Sequence, residues 1–107
     1  MLSITFVGRA SMSRLNYRYL RHHGATDVIA FGLERVGKRG GVIGDVYICA
    51  DVARENAHRQ RISPGEELLR LVVHGTLHVL GYDHPDGVAR TRSRMWRRQE
   101  KILARLL

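Results

Sequence analysis

The stretch from Ser63 to Gly81 carries a helix with both ends marked in the sequence. Ser63-Pro64-Gly65-Glu66 puts serine at the N-cap, proline at the first helical position and glutamate three residues after the cap. Gly81, directly after Leu80, is placed to stop the helix in a left-handed cap. The predicted helix therefore runs from Pro64 to Leu80. Leu69, Val72, Val73, Thr76, Leu77 and Leu80 follow i, i+3, i+4 spacing along it, which makes it a central core element. A chain of 107 residues has room for one domain and one modest core, so the other elements must pack around this helix.

Those elements are short. Leu2 to Val7 alternates as a strand, and Ser13 to about His23 reads as a helix with Leu15, Tyr19 and His22 on one face. Asp27 to Leu33 and Val42 to Ala50 read as strands joined by the turn Gly37-Lys38-Arg39-Gly40-Gly41, which predicts a hairpin. Asp51 is placed to cap a helix reaching about Arg59, and a last helix is expected from about Val88 to Leu106. The expected fold is α+β: a single compact domain over residues 1–107, with a small mixed sheet of about three strands packed against the central helix and a C-terminal helix.

Charge and cysteine usage narrow the partners. Lys and Arg number 18 against 10 Asp and Glu, a formal net charge of +8, which puts polyanions first among partners. No stretch approaches the roughly 18 apolar residues of a membrane span, and Met1 to Ala10 lacks the pattern of a signal peptide. No membrane association and a cytoplasmic location are expected. Cys49 is the only cysteine, which excludes a disulfide framework and a thiolate zinc finger. Flanked by Val46, Tyr47, Ile48 and Ala50, it reads as a buried small hydrophobe. A metal in this chain must rely on histidine.

Histidine is arranged for it. His74 and His78 are four residues apart on the central helix, so their side chains stack on one face, about 5–6 Å apart at Cβ. His84 arrives from beyond Gly81 and approaches from another direction. Three neutral imidazoles leave a fourth tetrahedral position open, as in catalytic zinc sites. One Zn2+ per chain is the expected cofactor, although three imidazoles also suit nickel, copper or iron. The histidines and Gly81 match the metzincin spacing, but Gly75 stands where a zinc protease has its general-base glutamate, which argues against peptide hydrolysis.

Other polar residues keep two readings each. Asp83 is either a turn residue after Gly81-Tyr82 or a group for proton transfer beside His84. Asp45, inside an apolar strand, is either hydrogen-bonded to a ligating histidine or to a helix cap or backbone partner. On the last helix Val88, Met95, Gln99, Ile102, Leu103 and Leu106 share one face, while Arg90, Arg94, Arg97, Arg98, Lys101 and Arg105 share the other. That basic stripe is either a solvated face or a track for an RNA backbone.

His74-Gly75-Thr76-Leu77-His78-Val79-Leu80-Gly81-Tyr82-Asp83-His84 resembles the signature of the YbeY family of endoribonucleases. Leu15-Asn16, Thr26-Asp27-Val28-Ile29-Ala30-Phe31, Gly44-Asp45-Val46-Tyr47-Ile48 and the group Met95, Glu100, Ile102 and Leu103 extend the resemblance along nearly the whole chain. It implies a metal-dependent, single-strand-preferring endoribonuclease acting in 16S rRNA maturation and ribosome quality control. Its partners would be single-stranded RNA, ribosomal RNA and the small ribosomal subunit. His74, His78 and His84 would be the zinc ligands. His74, Asp83 and Arg21 are the candidate catalytic residues, and Arg18, Arg94, Arg97, Arg98 and Lys101 the candidate RNA contacts. Two departures stand out. Leu20 occupies a position where the family pattern has an arginine, so Arg18 or Arg21 would have to substitute. The family pattern also opens with a further strand and helix ahead of the strand matched by Leu2 to Val7, so either the start lies upstream or the sheet has a bare edge. The alternative function is a non-catalytic, metal-stabilised RNA- or ribosome-binding protein, with a metal-dependent peptidase a distant third. Whether RNA would be cut by water or by its own 2′-hydroxyl stays open at this level.

Overall fold

A sheet and a helix can approach closely only where side chains are absent from the contact, and three glycines supply that condition here. The structure is a computed structural model that describes residues 1–36, 41–84 and 87–107, with the side chains of 33–36, 41–43 and 88 also outside the description. In chain order it contains β1 (Leu2–Val7), α1 (Arg9–Leu20), β2 (Val28–Val36), β3 (Gly41–Cys49), α2 (Ala50–Gln60), α3 (Pro64–Val79), a 3-10 turn (Gly87–Arg92) and α4 (Arg94–Leu106). The sheet order is β1-β3-β2, with β1 parallel and β2 antiparallel to β3. The mixed three-strand sheet and the hairpin are as expected. Residues 37–40 of the predicted turn lie outside the described residues.

Alternation assigns the two faces of the sheet. Val46 and Ile48 pack with Leu71 and Val79 of α3 and Ala53 of α2. Ile29 and Cys49 pack on the other side with Met12 of α1. Cys49 is buried and free, as its neighbours implied. The helix α3 crosses the first face at closest range. A Cβ built on Gly75 would lie 2.6 Å from Val46 Cγ1, and one on Gly44 would lie 2.3 Å from Val79 Cγ1. Gly32, paired with Gly44 in the register, has the Val79 backbone within 3.3 Å of such an atom. Val79 thus sits over a pair of opposed glycines, and Gly75 sits over Val46.

Both ends of α3 form as the sequence predicts. Ser63 Oγ accepts from Glu66 N–H at 3.1 Å, with Pro64 at the first position. At the other end Gly81 has φ +101, and the Gly81 and Tyr82 N–H groups bond to the His78 and Leu77 carbonyls, a Schellman closure.

Several other boundaries and faces differ from expectation. The buried side of α3 is Glu67, Leu71, Val73, His74, Gly75, Leu77 and Val79, whereas Leu69 and Leu80 are 37% and 49% exposed. The predicted apolar stripe was centred on the solvent side. α1 begins at Arg9 and stops at Leu20, because Arg21 turns left-handed at φ 56 and closes the helix onto the Asn16 and Tyr17 carbonyls. Tyr19 and His22 are exposed, and the inward residues are Met12 and Asn16. α2 takes Cys49 as its N-cap without a side-chain bond, and Asp51 lies inside the first turn. The last helix is divided: Ser93 accepts from Trp96 N–H as an N-cap, so α4 starts at Arg94, and the preceding residues form the 3-10 turn. Met95, Gln99 and Leu103 face inward, and Arg70 ties α3 to α4 through Glu100.

Gly75→Ala should destabilise the protein. Overpacking costs about 1–3 kcal/mol against about 1 kcal/mol gained in helix propensity. The melting temperature should fall, and Val46→Ala in the same chain should recover part of the loss by making room for the methyl. A melting temperature that stays level or rises in Gly75→Ala would contradict the close contact.

Candidate metal centre

Three imidazoles meet where α3 ends and the chain doubles back. Gly75 pressed on the sheet fixes the rotation of α3, and His74 and His78 then point along its flank toward the first residues of β2. The Gly81 closure reverses the chain so that His84 comes back onto the same place. One ligand atom from each histidine lies within 4.8 Å of the others. The ring centroids are 4.7 Å apart for His74 and His78 and 5.0 Å apart for each pairing with His84. The sequence spacing anticipated this cluster.

The rings are aimed as well as gathered. His74 Nδ1 lies 2.6 Å from Gln99 Oε1, and His78 Nδ1 lies 3.1 Å from the Tyr82 carbonyl. Each oxygen accepts from an Nδ1–H, which fixes that tautomer and leaves the Nε2 lone pair for a cation. This is the outer support that metal-binding histidines need, and the donor set fits a divalent transition ion. Burial pushes His74 down to about 4, with the neighbouring histidines and Arg90 adding to the shift while Gln99 opposes it. His78 is lowered too, first by burial and then by His84. Both are neutral near pH 7 and need lose no proton to become ligands.

A cavity of about 360 Å³ opens in front of the histidines. Besides the three rings its wall includes Leu20, Asp27, Arg90 and the Val28–Ala30 strand start. Asp27 is held in place by the Val28 N–H and by Asn56 of α2. Arg90 reaches the wall from the 3-10 turn, with its guanidinium 5.7 Å from the Trp96 ring centroid.

The other candidate residues are placed as follows. Arg21 lies over the Tyr17 ring and is not on the described wall of this cavity, whereas Leu20 is. Arg18 lies over Tyr19 at the exposed end of α1. Arg94, Arg97, Arg98 and Lys101 line one shallow groove with Tyr82. Tyr82 joins that groove to the loop carrying His84, and its carbonyl holds His78. Asp83 is exposed, and its carboxylate accepts from the His84 N–H at 2.8 Å, which orders the turn. Asp45 alternates with Val46 and so projects to the sheet face opposite α3; it is not a support for a ligating histidine. Gly75 faces Val46 and not the cavity, so the position where a protease carries its base does not address this centre.

Three residues at or beside the centre had no place there in the sequence pattern. Gln99 was counted on an apolar face, yet it is 1% exposed and bonded to His74. Its signal was a lone amide in an apolar stripe, which a buried environment obliges to find a partner. Arg90 was counted on the outer basic stripe, from which the break at Ser93 removes it. Glu67 lies seven residues before His74 on the same side of α3 and is 3% exposed.

The family model described as endoribonuclease YbeY matches residues 1–107. An endoribonuclease YbeY of Syntrophotalea carbinolica is 37% identical over 108 residues, covering 98% of this chain and 72% of that protein. One from Beutenbergia cavernae is 44% identical over 92 residues, covering 79% of this chain and 61% of that protein. The solution structure of a Thermotoga maritima protein matches with a TM-score of 0.63 at 29% identity, covering 95% of this chain and 65% of that one. The chain thus spans 61% to 72% of the length of the two relatives.

Gln99→Leu should weaken metal affinity about 10–100-fold while Met95 and Leu103 keep α4 docked. An unchanged dissociation constant for zinc would show that the Gln99 bond does not orient the ligand. In the metal-free protein His74 stays neutral down to about pH 4 when folded but protonates near 6.5 when unfolded. The unfolded chain therefore binds more protons between these values, and stability falls as pH falls through that window. Glu67 is shifted upward by burial and acts in the opposite sense. The measurement is a melting curve series of the chelated Glu67→Gln variant from pH 7 to pH 4; a flat profile would be inconsistent with a buried neutral His74.

Proposed function

The chain belongs to the YbeY endoribonuclease family, and we propose that it is a zinc-dependent endoribonuclease that cuts single-stranded RNA at the His74–His78–His84 centre, acting in the cytoplasm on 16S rRNA during maturation and quality control of the small ribosomal subunit. The observation that carries this reading is the pair of anchored Nδ1 atoms in a cluster of three imidazoles close enough together to hold one cation, beside an arginine.

A divalent metal held by His74, His78 and His84 would supply Lewis-acid polarisation of a phosphoryl oxygen and an acidified water. The chain's own residues do the rest. Arg90 places a fixed positive charge on the cavity wall, where it neutralises a phosphate and resists the movement of the histidines toward their charged forms. Gln99 and the Tyr82 carbonyl keep the rings oriented. Asp83 holds the loop that presents His84. The groove of Arg94, Arg97, Arg98 and Lys101 follows the RNA backbone away from the centre through charge, without reading bases.

A second reading, a non-catalytic metal-stabilised RNA-binding protein, is favoured by Leu20, an apolar side chain on the cavity wall at a position where the family pattern carries arginine. Arg90, on the same wall, meets the need for a cation. A cleavage assay on single-stranded RNA separates the two. The zinc-loaded protein should cleave, and chelator or His78→Ala should abolish cleavage. Charge reversal at Arg94 and Arg98 should weaken RNA binding and flatten its salt dependence. Full zinc occupancy without cleavage would favour the binding protein.

A further inference from the structure

A second cavity, of about 350 Å³, lies beside the metal centre and shares Asp27, His74 and Arg90 with the first. It is bounded by α2, α3, the 3-10 turn and α4, through Asn56, Glu67, Arg90 and Gln99 among others. Three buried polar atoms without a hydrogen-bond partner belong to residues on its wall: Glu67 Oε2, Arg90 Nε and Gln99 Nε2. A buried polar atom left unsatisfied destabilises the fold. Finding three around one cavity marks a place built to receive hydrogen-bonding groups. The space corresponds to roughly a dozen waters at about 30 Å³ each, within the range of small-ligand pockets.

Two of the charged groups on this wall are already committed. Asp27 accepts from the Val28 N–H and from Asn56, and Arg70 is held by Glu100. The buried atoms left without a partner on the residues of this wall are one carboxylate acceptor in Glu67 and two donors, in Arg90 and Gln99, beside the Gln60 side chain and the Trp96 ring. Among the four RNA bases only guanine sets two N–H donors, at N1 and N2, next to a carbonyl oxygen. A carboxylate takes the two donors, an arginine donates to O6 or N7, and an indole supplies a stacking wall.

We propose that this cavity is a base subsite, taking the guanine of the nucleotide whose phosphate lies at the histidines. Glu67 reads the N1 and N2 donors, and Arg90, on the walls of both cavities, joins base recognition to phosphate binding. This rests on the endoribonuclease reading for the position of the phosphate, but the base preference is measurable without cleavage.

The test is equilibrium binding of the nucleoside 5′-monophosphates GMP, AMP, CMP and UMP to the zinc-loaded full chain. GMP should bind at least tenfold more tightly than the other three, and Glu67→Gln should remove that preference with zinc content unchanged. Equal binding of all four, or a preference that survives Glu67→Gln, would overturn the subsite and leave the cavity to water. Should Glu67→Gln fail to fold, NMR of the wild-type protein decides. The Gln99 side-chain amide and Trp96 indole signals should move with GMP and not with UMP, and their indifference to GMP would equally overturn the proposal. Guanine preference without RNA cleavage would sink the nuclease reading alone, and cleavage without any base preference would sink the subsite alone.

Discussion

The contact between Gly75 and Val46 governs the rotation of α3, and through it the placement of every group at the centre. With no side chain at that position the helix lies down on β3, and Val79 settles over Gly32 and Gly44 one turn later. At about 100° per residue, His74, His78 and Glu67 then fall along one flank of the contact. Val73 and Leu77 fall on the far side, where they meet Met95 of α4. A helix buried on the sheet side, along the histidine flank and against α4 has only one narrow stripe left for solvent, and Leu69 and Leu80 occupy it.

This geometry explains which parts were legible in the sequence. The ends of α3 were readable because caps are local: Ser63 and Gly81 act on groups within a few residues of themselves. The histidine triad was readable for the same reason, since a helical pair and a return loop are set by spacing. The inward face of α3 was not, because an apolar-periodicity reading counts Glu67, His74 and Gly75 as outward residues while all three point in. The break before α4 was missed because a basic run of helix-compatible residues hides Ser93, whose hydroxyl both caps α4 and bonds the Arg90 carbonyl. With that break unseen, Arg90 was assigned to the outer stripe and Gln99 to bare hydrophobic packing. Both roles come from tertiary partners distant in sequence.

Helix α4 consequently has two duties on opposite sides. Its inner residues Met95, Gln99 and Leu103 dock it, and Gln99 holds the His74 ring while doing so. Its outer residues Arg94, Arg97, Arg98 and Lys101 form the basic groove. Because the His74–Gln99 bond lies between them, metal loading and the docking of α4 would be thermodynamically linked: an ion that favours the Nδ1–H tautomer of His74 would strengthen the bond that positions the groove, and the reverse would hold by reciprocity. The Arg70–Glu100 pair spans the same interface, but a partly exposed ion pair contributes only about 0–1 kcal/mol. The coupling is therefore carried by the buried amide more than by the salt bridge.

The same helix rotation also bears on the chemistry. In the peptidase pattern that shares this spacing, the residue after the first histidine carries the carboxylate that takes a proton from water. Here that position is turned into the sheet, where even a methyl group would collide with Val46. One residue thus bears on both packing and chemistry: the closeness of Gly75 to Val46 also leaves that position without the carboxylate of the peptidase pattern. An RNA phosphodiester would suit the resulting centre whether water or its own 2′-hydroxyl attacks, because either route draws on orientation and positive charge from the protein. The anchored imidazoles, Arg90 and the basic face of α4 are residues of that kind.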